Sequence, residues 1–82
     1  TVYIGPKAQV FDSARVWDSV QVLDSARVYG NACVYGHVCI FDSARIYGEA
    51  QIYDKAQVYD KAQVYDKAQV FGSAQVFEEA KV

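Results

Sequence analysis

The chain has 82 residues, of which eight are Lys or Arg and ten are Asp or Glu, so that its formal net charge is −2. This balance provides no basic stripe and disfavours nucleic acid as a partner. No apolar run approaches the length of a membrane-spanning segment, so no membrane insertion is expected. The length predicts one small domain that covers residues 1–82.

A six-residue period runs through the whole sequence. Every sixth residue from Ile4 to Val82 is Val or Ile, and every sixth residue from Val2 to Ala80 is Ala or Val. No insertion or deletion interrupts either series. A short, fixed period of this kind indicates a solenoid built from stacked repeats.

The repeat unit is clearest at Val58–Gln63, which reads Val-Tyr-Asp-Lys-Ala-Gln, and we number its positions one to six. Positions five, six, one and two alternate in polarity and size. They predict a four-residue strand with positions five and one inside and positions six and two outside. Asp or Gly at position three, followed by a polar residue, is typical of a turn. Pro6 occupies position three of the first full unit, so we expect a φ of about −65° to suit this corner.

Two spacings of eighteen residues indicate how many units make one coil. Position five is Ala except at Val2, Val20 and Val38, and position three is acidic at Asp24, Asp42, Asp60 and Glu78. Three units per coil would stack the members of each set. The sequence therefore predicts an all-β, three-sided parallel β-helix of about 18 residues per coil and about 4.5 coils, on the order of 20 Å long.

Units such as Val28–Cys33 and Ile40–Arg45 resemble the bacterial hexapeptide repeat, in which an aliphatic residue, turn residues and a small residue recur. The resemblance covers all 82 residues and implies a left-handed parallel β-helix. The chain departs from the commonest pattern at position two, where it has aromatic residues in place of small ones. In this respect it is more similar to Tyr-rich repeat arrays of uncharacterised bacterial and phage proteins.

Many members of the resembled family are trimeric acyltransferases with a His as general base near a corner and acyl-CoA between subunits. His37, at position four, is the only candidate for such a catalytic base. No loop, C-terminal helix or acceptor domain accompanies it, so the prediction is a protein without enzymatic activity and without a cofactor. The acidic column at position three could hold a cation, but Ca²⁺ needs six to eight oxygen ligands, and no metal site is predicted.

The two cysteines, Cys33 and Cys39, both occupy position six of consecutive units. They should point outward from different sides of the coil, which excludes an internal disulfide. Two interpretations remain: incidental surface thiols, or pairing between molecules.

Eleven of the aromatic residues occupy position two and should form three outward ladders along the solenoid. The first two are Phe11, Tyr29, Tyr47, Tyr65 and Trp17, Tyr35, Tyr53, Phe71; the third is Leu23, Phe41, Tyr59, Phe77. Such ladders could stabilise the sheets, provide lateral contacts between molecules or stack on sugar rings.

The predicted function is structural: a self-assembling module that is a segment or subunit of a bacterial filament or surface fibre. Its expected partner is itself, by axial stacking between the Val82 end and the Thr1 end and by lateral contact through the ladders. The alternative is a catalytic or non-catalytic part of a hexapeptide-repeat acyltransferase. The N-terminus does not define the localisation, and an extracellular or cell-surface fibre is favoured over the bacterial cytoplasm.

Overall fold

Thirteen two-residue strands, each formed by positions six and one of a unit, follow one another along the chain in a computed structural model that describes residues 2–81. The repeat positions assigned to Thr1 and Val82 lie outside the described residues. The strands are β1 Tyr3–Ile4, β2 Gln9–Val10, β3 Arg15–Val16, β4 Gln21–Val22, β5 Arg27–Val28, β6 Cys33–Val34, β7 Cys39–Ile40, β8 Arg45–Ile46, β9 Gln51–Ile52, β10 Gln57–Val58, β11 Gln63–Val64, β12 Gln69–Val70 and β13 Gln75–Val76.

Every third strand belongs to the same sheet, so the chain winds around three parallel sheets. Their orders are β1-β4-β7-β10-β13, β11-β8-β5-β2 and β12-β9-β6-β3. Registers such as Gln57 with Gln75 confirm the spacing of eighteen residues, and the strands complete about four coils. The predicted all-β, three-sided solenoid is confirmed. The left-handed winding stays a prediction from the family resemblance.

The strands are shorter than the four residues that the alternation predicted. The amide of Ala14 donates to the carbonyl of Phe11 across the corner, at 3.4 Å, and Ala26 donates to Leu23 in the same way at 3.2 Å. Positions two and five therefore belong to a β-turn that closes each corner. The amide of position two still pairs with the next coil, as Phe11 does with the carbonyl of Val28 at 3.0 Å.

The core consists of the inward side chains of positions one and five. All of these side chains from Val20 to Val64 are 0% exposed, and the described residues include no buried polar side chain. The intervening position-six residues, such as Gln51, are exposed or half-buried on the outside. The predicted assignment of inner and outer faces is confirmed.

Position three has a positive φ at every described corner except that of Pro6, with values from 54° to 86°. Left-handed backbone favours Gly and, among other residues, Asp and Asn, which explains why Asp and Gly dominate this position. Pro6 is the exception among the described corners, because a proline ring fixes φ at about −65° and cannot adopt a positive φ. Gly48 has a second reason to lack a side chain, since a Cβ there would lie 2.5 Å from the amide nitrogen of Asp66 in the next coil.

The aspartates at position three also connect successive coils. In six of the seven, the carboxylate accepts a hydrogen bond from the backbone amide of the position-three residue eighteen residues later. Asp24, for example, accepts from the amide of Asp42 at 3.1 Å, Asp42 accepts from Asp60 at 3.2 Å, and Asp60 accepts from Glu78 at 3.0 Å. The predicted acidic column is therefore present, held by contacts between carboxylates and amides.

The assignment of faces can be tested at two neighbouring residues. Ala50 is 0% exposed and Gln51 is exposed. Ala50→Asp should unfold the chain, because an unpaired buried carboxylate costs several kcal/mol against a typical stability of about 5–15 kcal/mol. Gln51→Asp should leave the fold intact. Circular dichroism during thermal unfolding measures both, and equal tolerance of the two changes would contradict the assigned faces.

The corner contact can be tested at Asp42, which has a φ of 60°. Asp42→Ala should cost about 2 kcal/mol of unfolding free energy, because it removes a charge-assisted hydrogen bond and leaves a less suitable residue in the left-handed region. Asp42→Asn should cost about 1 kcal/mol or less, since an amide oxygen can still accept. Asp42→Gly keeps the backbone relaxed and isolates the lost bond. Urea unfolding measures the series, and equal stability of the Ala and Asn variants would refute the contact.

Candidate functional site: aromatic ladders and end coils

Eight pairs of stacked rings run along the three corners of the coil, as the sequence predicts. The ring centroids are 4.7 to 5.4 Å apart and the ring planes are 3° to 11° from parallel. The stacked pairs are Phe11–Tyr29, Tyr29–Tyr47, Tyr47–Tyr65, Trp17–Tyr35, Tyr35–Tyr53, Tyr53–Phe71, Phe41–Tyr59 and Tyr59–Phe77. All eleven predicted ladder residues therefore take part in stacking.

The ladders follow from the parallel register. Residues eighteen apart lie one coil spacing apart in parallel register, which brings their rings into face-to-face stacking. Each pair should stabilise the sheet by about 0.2–1 kcal/mol. The third ladder has no ring in its first two coils, where Gly5 lies next to Leu23. Its stack of rings begins at Phe41.

Tyr47 lies in the middle of the first ladder and has a polar contact that its sequence position did not predict. Its hydroxyl donates to Oε1 of Gln63 at 3.3 Å. Partial burial raises the pKa of the Tyr47 phenol above its usual value, the neighbouring Tyr29 and Tyr65 raise the pKa further, and the nearby Arg45 opposes them. Ionisation of the Tyr47 phenol within the ladder is therefore disfavoured.

The first and last coils differ from the interior in their exposure. We call residues 2–18 and residues 65–81 the end coils. Interior ladder rings are half-buried between neighbours, whereas every large hydrophobic side chain that is exposed in the described range lies in an end coil. These are Tyr3 at 54%, Ile4 at 42%, Phe11 at 42%, Trp17 at 42%, Phe71 at 53% and Phe77 at 40%. The apolar surface is therefore concentrated at the two ends of the solenoid.

Backbone groups at the two ends are complementary. Throughout the solenoid the amides of positions six, two and four donate to the carbonyls of positions five, one and three in the next coil. Gln57 and Tyr59, for example, donate to Ala74 and Val76 at 3.0 and 2.9 Å. Within residues 2–81, such amides in the last coil have no following coil, and such carbonyls in the first coil have no preceding one. No helix or loop of the described residues covers either end.

His37 is exposed at a corner, and within residues 2–81 no hydrogen bond or ion pair of its side chain to a base-activating group is found. Its backbone amide donates to the carbonyl of Asp54 at 2.7 Å. Other position-four amides donate in the same way to a position-three carbonyl of the next coil. The surrounding surface is a shallow depression that includes Gly36, Lys55 and Ser73. The local structure of His37 is that of an ordinary corner residue.

Cys33 and Cys39 are half-buried free thiols in β6 and β7, which belong to different sheets as predicted. The Cys39 thiol lies 3.9 Å from Oε1 of Gln21 in the preceding coil. Among residues 2–81, no three His, Cys, Asp or Glu side chains converge in a way that could hold a metal ion. The Asp42–Asp60–Glu78 column instead lines an open surface groove together with Lys61.

Sequence reasoning located the ladders but missed two features of the structure. One is the contact from carboxylate to amide at the corners, for which the recurrence of Asp at position three is the available signal. The other is the concentration of exposed apolar side chains in the end coils, which follows from geometry because a terminal ring has a neighbour on one side only.

Comparisons with protein-family models, with curated proteins and with solved structures give no match to this chain. The likeness to the hexapeptide-repeat family accordingly stays a resemblance of the sequence. Among the described residues there is no helix of the length and apolarity needed to cross a membrane.

The raised pKa of Tyr47 predicts a loss of stability in alkali. The folded chain holds this proton more tightly than the unfolded chain, whose tyrosine pKa is 10.0. The stabilising contribution is therefore fully present below that value and is lost as the pH rises through the folded pKa. Unfolding free energies at about pH 9 and about pH 11 should fall more for the native chain than for Tyr47→Phe, and ring-carbon NMR should place the Tyr47 midpoint above 10.0. A midpoint at or below that value would refute the argument.

Proposed function

We propose that this chain is a structural module that self-assembles by axial stacking of its coils, as a segment or subunit of a bacterial filament or surface fibre. The observation that carries the proposal is the complementarity of the two end coils. An unpaired strand edge is a template for another strand, and folded proteins usually block such edges with charge, bulges or covering segments.

The edges that need a partner can be named strand by strand. Among the described residues β1, β2 and β3 pair on one side only at the first coil, and β12 and β13 do so at the last. β11 is followed only by the single bridge between Gln63 and Lys81. The amides of positions six, two and four in the last coil face the direction in which interior coils find the carbonyls of positions five, one and three, and the first coil offers such carbonyls, so a head-to-tail contact between two copies would repeat the interior pattern. Because such a contact is heterologous and leaves free ends, it propagates into a linear assembly.

Burial of apolar surface favours the same contact. Phe71 and Phe77 at one end and Phe11 and Trp17 at the other are at least 40% exposed, in a chain whose interior rings are half-buried. Stacking of a second copy would bury part of this exposed apolar surface. The ladders also run along all three corners, and they would provide lateral contacts between neighbouring filaments.

The alternative, a part of a hexapeptide-repeat acyltransferase, receives less support from the described residues. It would rest on His37, which lies at an exposed corner above a shallow depression. A catalytic base is expected within a pocket and within hydrogen-bond reach of a reacting group. We therefore retain assembly as the proposed function.

The purified 82-residue chain should form filaments one or a few molecules wide in electron micrographs. Aligned filaments should give a meridional reflection near about 4.8 Å, because the strands run across the filament axis. Gln69→Pro combined with Gln75→Pro should abolish the filaments, since proline removes an edge amide and its ring blocks the approach of a carbonyl.

The matched control is Gln69→Ala combined with Gln75→Ala, which removes the same side chains and keeps both amides. Neither amide donates to a backbone carbonyl within residues 2–81, so both double variants should keep the solenoid fold by circular dichroism. Filaments from the Ala variant and monomers from the Pro variant would support the proposal. A native chain that sediments as a monomer at millimolar concentration would contradict it.

A further inference from the structure

We propose that two copies join in one particular register, in which Val2 of the second copy lies over Ala68 as Ala68 lies over Ala50. This inference rests on the proposed function and specifies its contact surface. Seven amides of one copy then donate to seven carbonyls of the next. The donors are Gln69, Phe71, Ser73, Gln75, Phe77, Glu79 and Lys81, and the acceptors, in the same order, are Val2, Ile4, Pro6, Ala8, Val10, Asp12 and Ala14.

Only a few registers are available, because the junction must keep each residue at its position in the repeat. A shift by one residue would put outward side chains into the core. Registers therefore differ in steps of six residues, which is one side of the coil. A step toward the first copy would place Val2 in the space that Ala80 already fills. A step away from it would leave the amides of Gln69, Phe71 and Ser73 without acceptors, so the proposed register makes the most bonds without overlap.

The aromatic rings agree with this register. It places Phe11 of the second copy over Phe77, at the position that Phe77 itself occupies over Tyr59, where the ring centroids are 5.4 Å apart and the planes 10° from parallel. Phe11 and Phe77 are 42% and 40% exposed in the single chain. The third ladder of one copy would thus continue into the first ladder of the next.

The corner residues agree as well. At interior corners an Asp carboxylate accepts from the position-three amide of the following coil, but Pro6 has no amide hydrogen to donate. The proposed register puts Pro6 over Gly72, which has no carboxylate, and a Cβ added to Gly72 would have no atom within 4 Å in the single chain. The same register puts the amide of Asp12 over Glu78. The Glu78 carboxylate can accept a hydrogen bond from that amide, as the Asp60 carboxylate accepts one from the amide of Glu78. The shifted register would instead place Pro6 over the Glu78 carboxylate.

Disulfide cross-linking between separate chains tests the register. In a background of Cys33→Ser and Cys39→Ser, one chain carries Gln75→Cys and the other carries Gln9→Cys. The proposed register makes these residues neighbours on adjacent strands, about 4.8 Å apart, which lies within the Cα separation of about 4.4–6.8 Å that a disulfide spans. Mild oxidation of the mixture should give the disulfide-linked heterodimer as the main product on a non-reducing gel.

The control mixture pairs Gln75→Cys with Tyr3→Cys, which are neighbours only in the shifted register. The amount of disulfide-linked dimer in this mixture should not exceed that of each single variant alone. Lys81→Cys with Arg15→Cys is a second pair for the proposed register, on another side of the coil, should either first variant fail to fold. Cross-linking in the control mixture, or filaments without cross-links in either predicted pair, would overturn the register and leave the proposed assembly standing. Monomers without cross-links would overturn both.

Discussion

The left-handed backbone at position three is the constraint on which the rest of the solenoid depends. With a positive φ at every described corner but one, the chain changes direction within two residues and returns to the same column after eighteen. Asp and Gly tolerate this conformation, and Asp adds a carboxylate that reaches the amide of the next coil. Direction change and coil-to-coil contact therefore come from the same side chain. Where Gly replaces Asp, as at Gly48, the next backbone approaches too closely for a Cβ.

Because the corners are regular, residues of the same kind stack on one another along the axis of the solenoid. Ala and Val fill the interior, Gln and Arg remain outside, and rings superpose on rings, because no loop displaces one coil against the next. The contacts that hold Tyr59 to Phe77 inside one chain are of the same kind as those available between Phe77 and Phe11 of two chains. In the proposed assembly, folding and stacking would use one set of interactions, and the end coils would form the contact between copies.

Much of this architecture could be predicted from the sequence because period and polarity determine it. The recurrence of Val2, Val20 and Val38 was sufficient to infer three sides, and the position-two residues were sufficient to infer the ladders. The two-residue strands could not be inferred, since alternation alone does not reveal that Ala14 donates back to Phe11 across the corner. The positive φ of the other corners was not inferred, because turn propensity says little about the sign of φ. The hydrogen bond between Tyr47 and Gln63 joins residues sixteen apart, a spacing that matches neither the repeat nor the coil.

The three-sheet cross-section also has a mechanical consequence. Hydrogen bonds between coils lie on all three sides of the solenoid and point along its axis. Bending such a rod would compress the bonds on one side and stretch those on another, and hydrogen bonds weaken when their geometry departs from a narrow range of lengths. The stacked rings at the three corners would resist the same deformation. A fibre made of these coils should therefore be straight and stiff, and should fail under load at the junctions between chains, where no peptide bond crosses from one coil to the next.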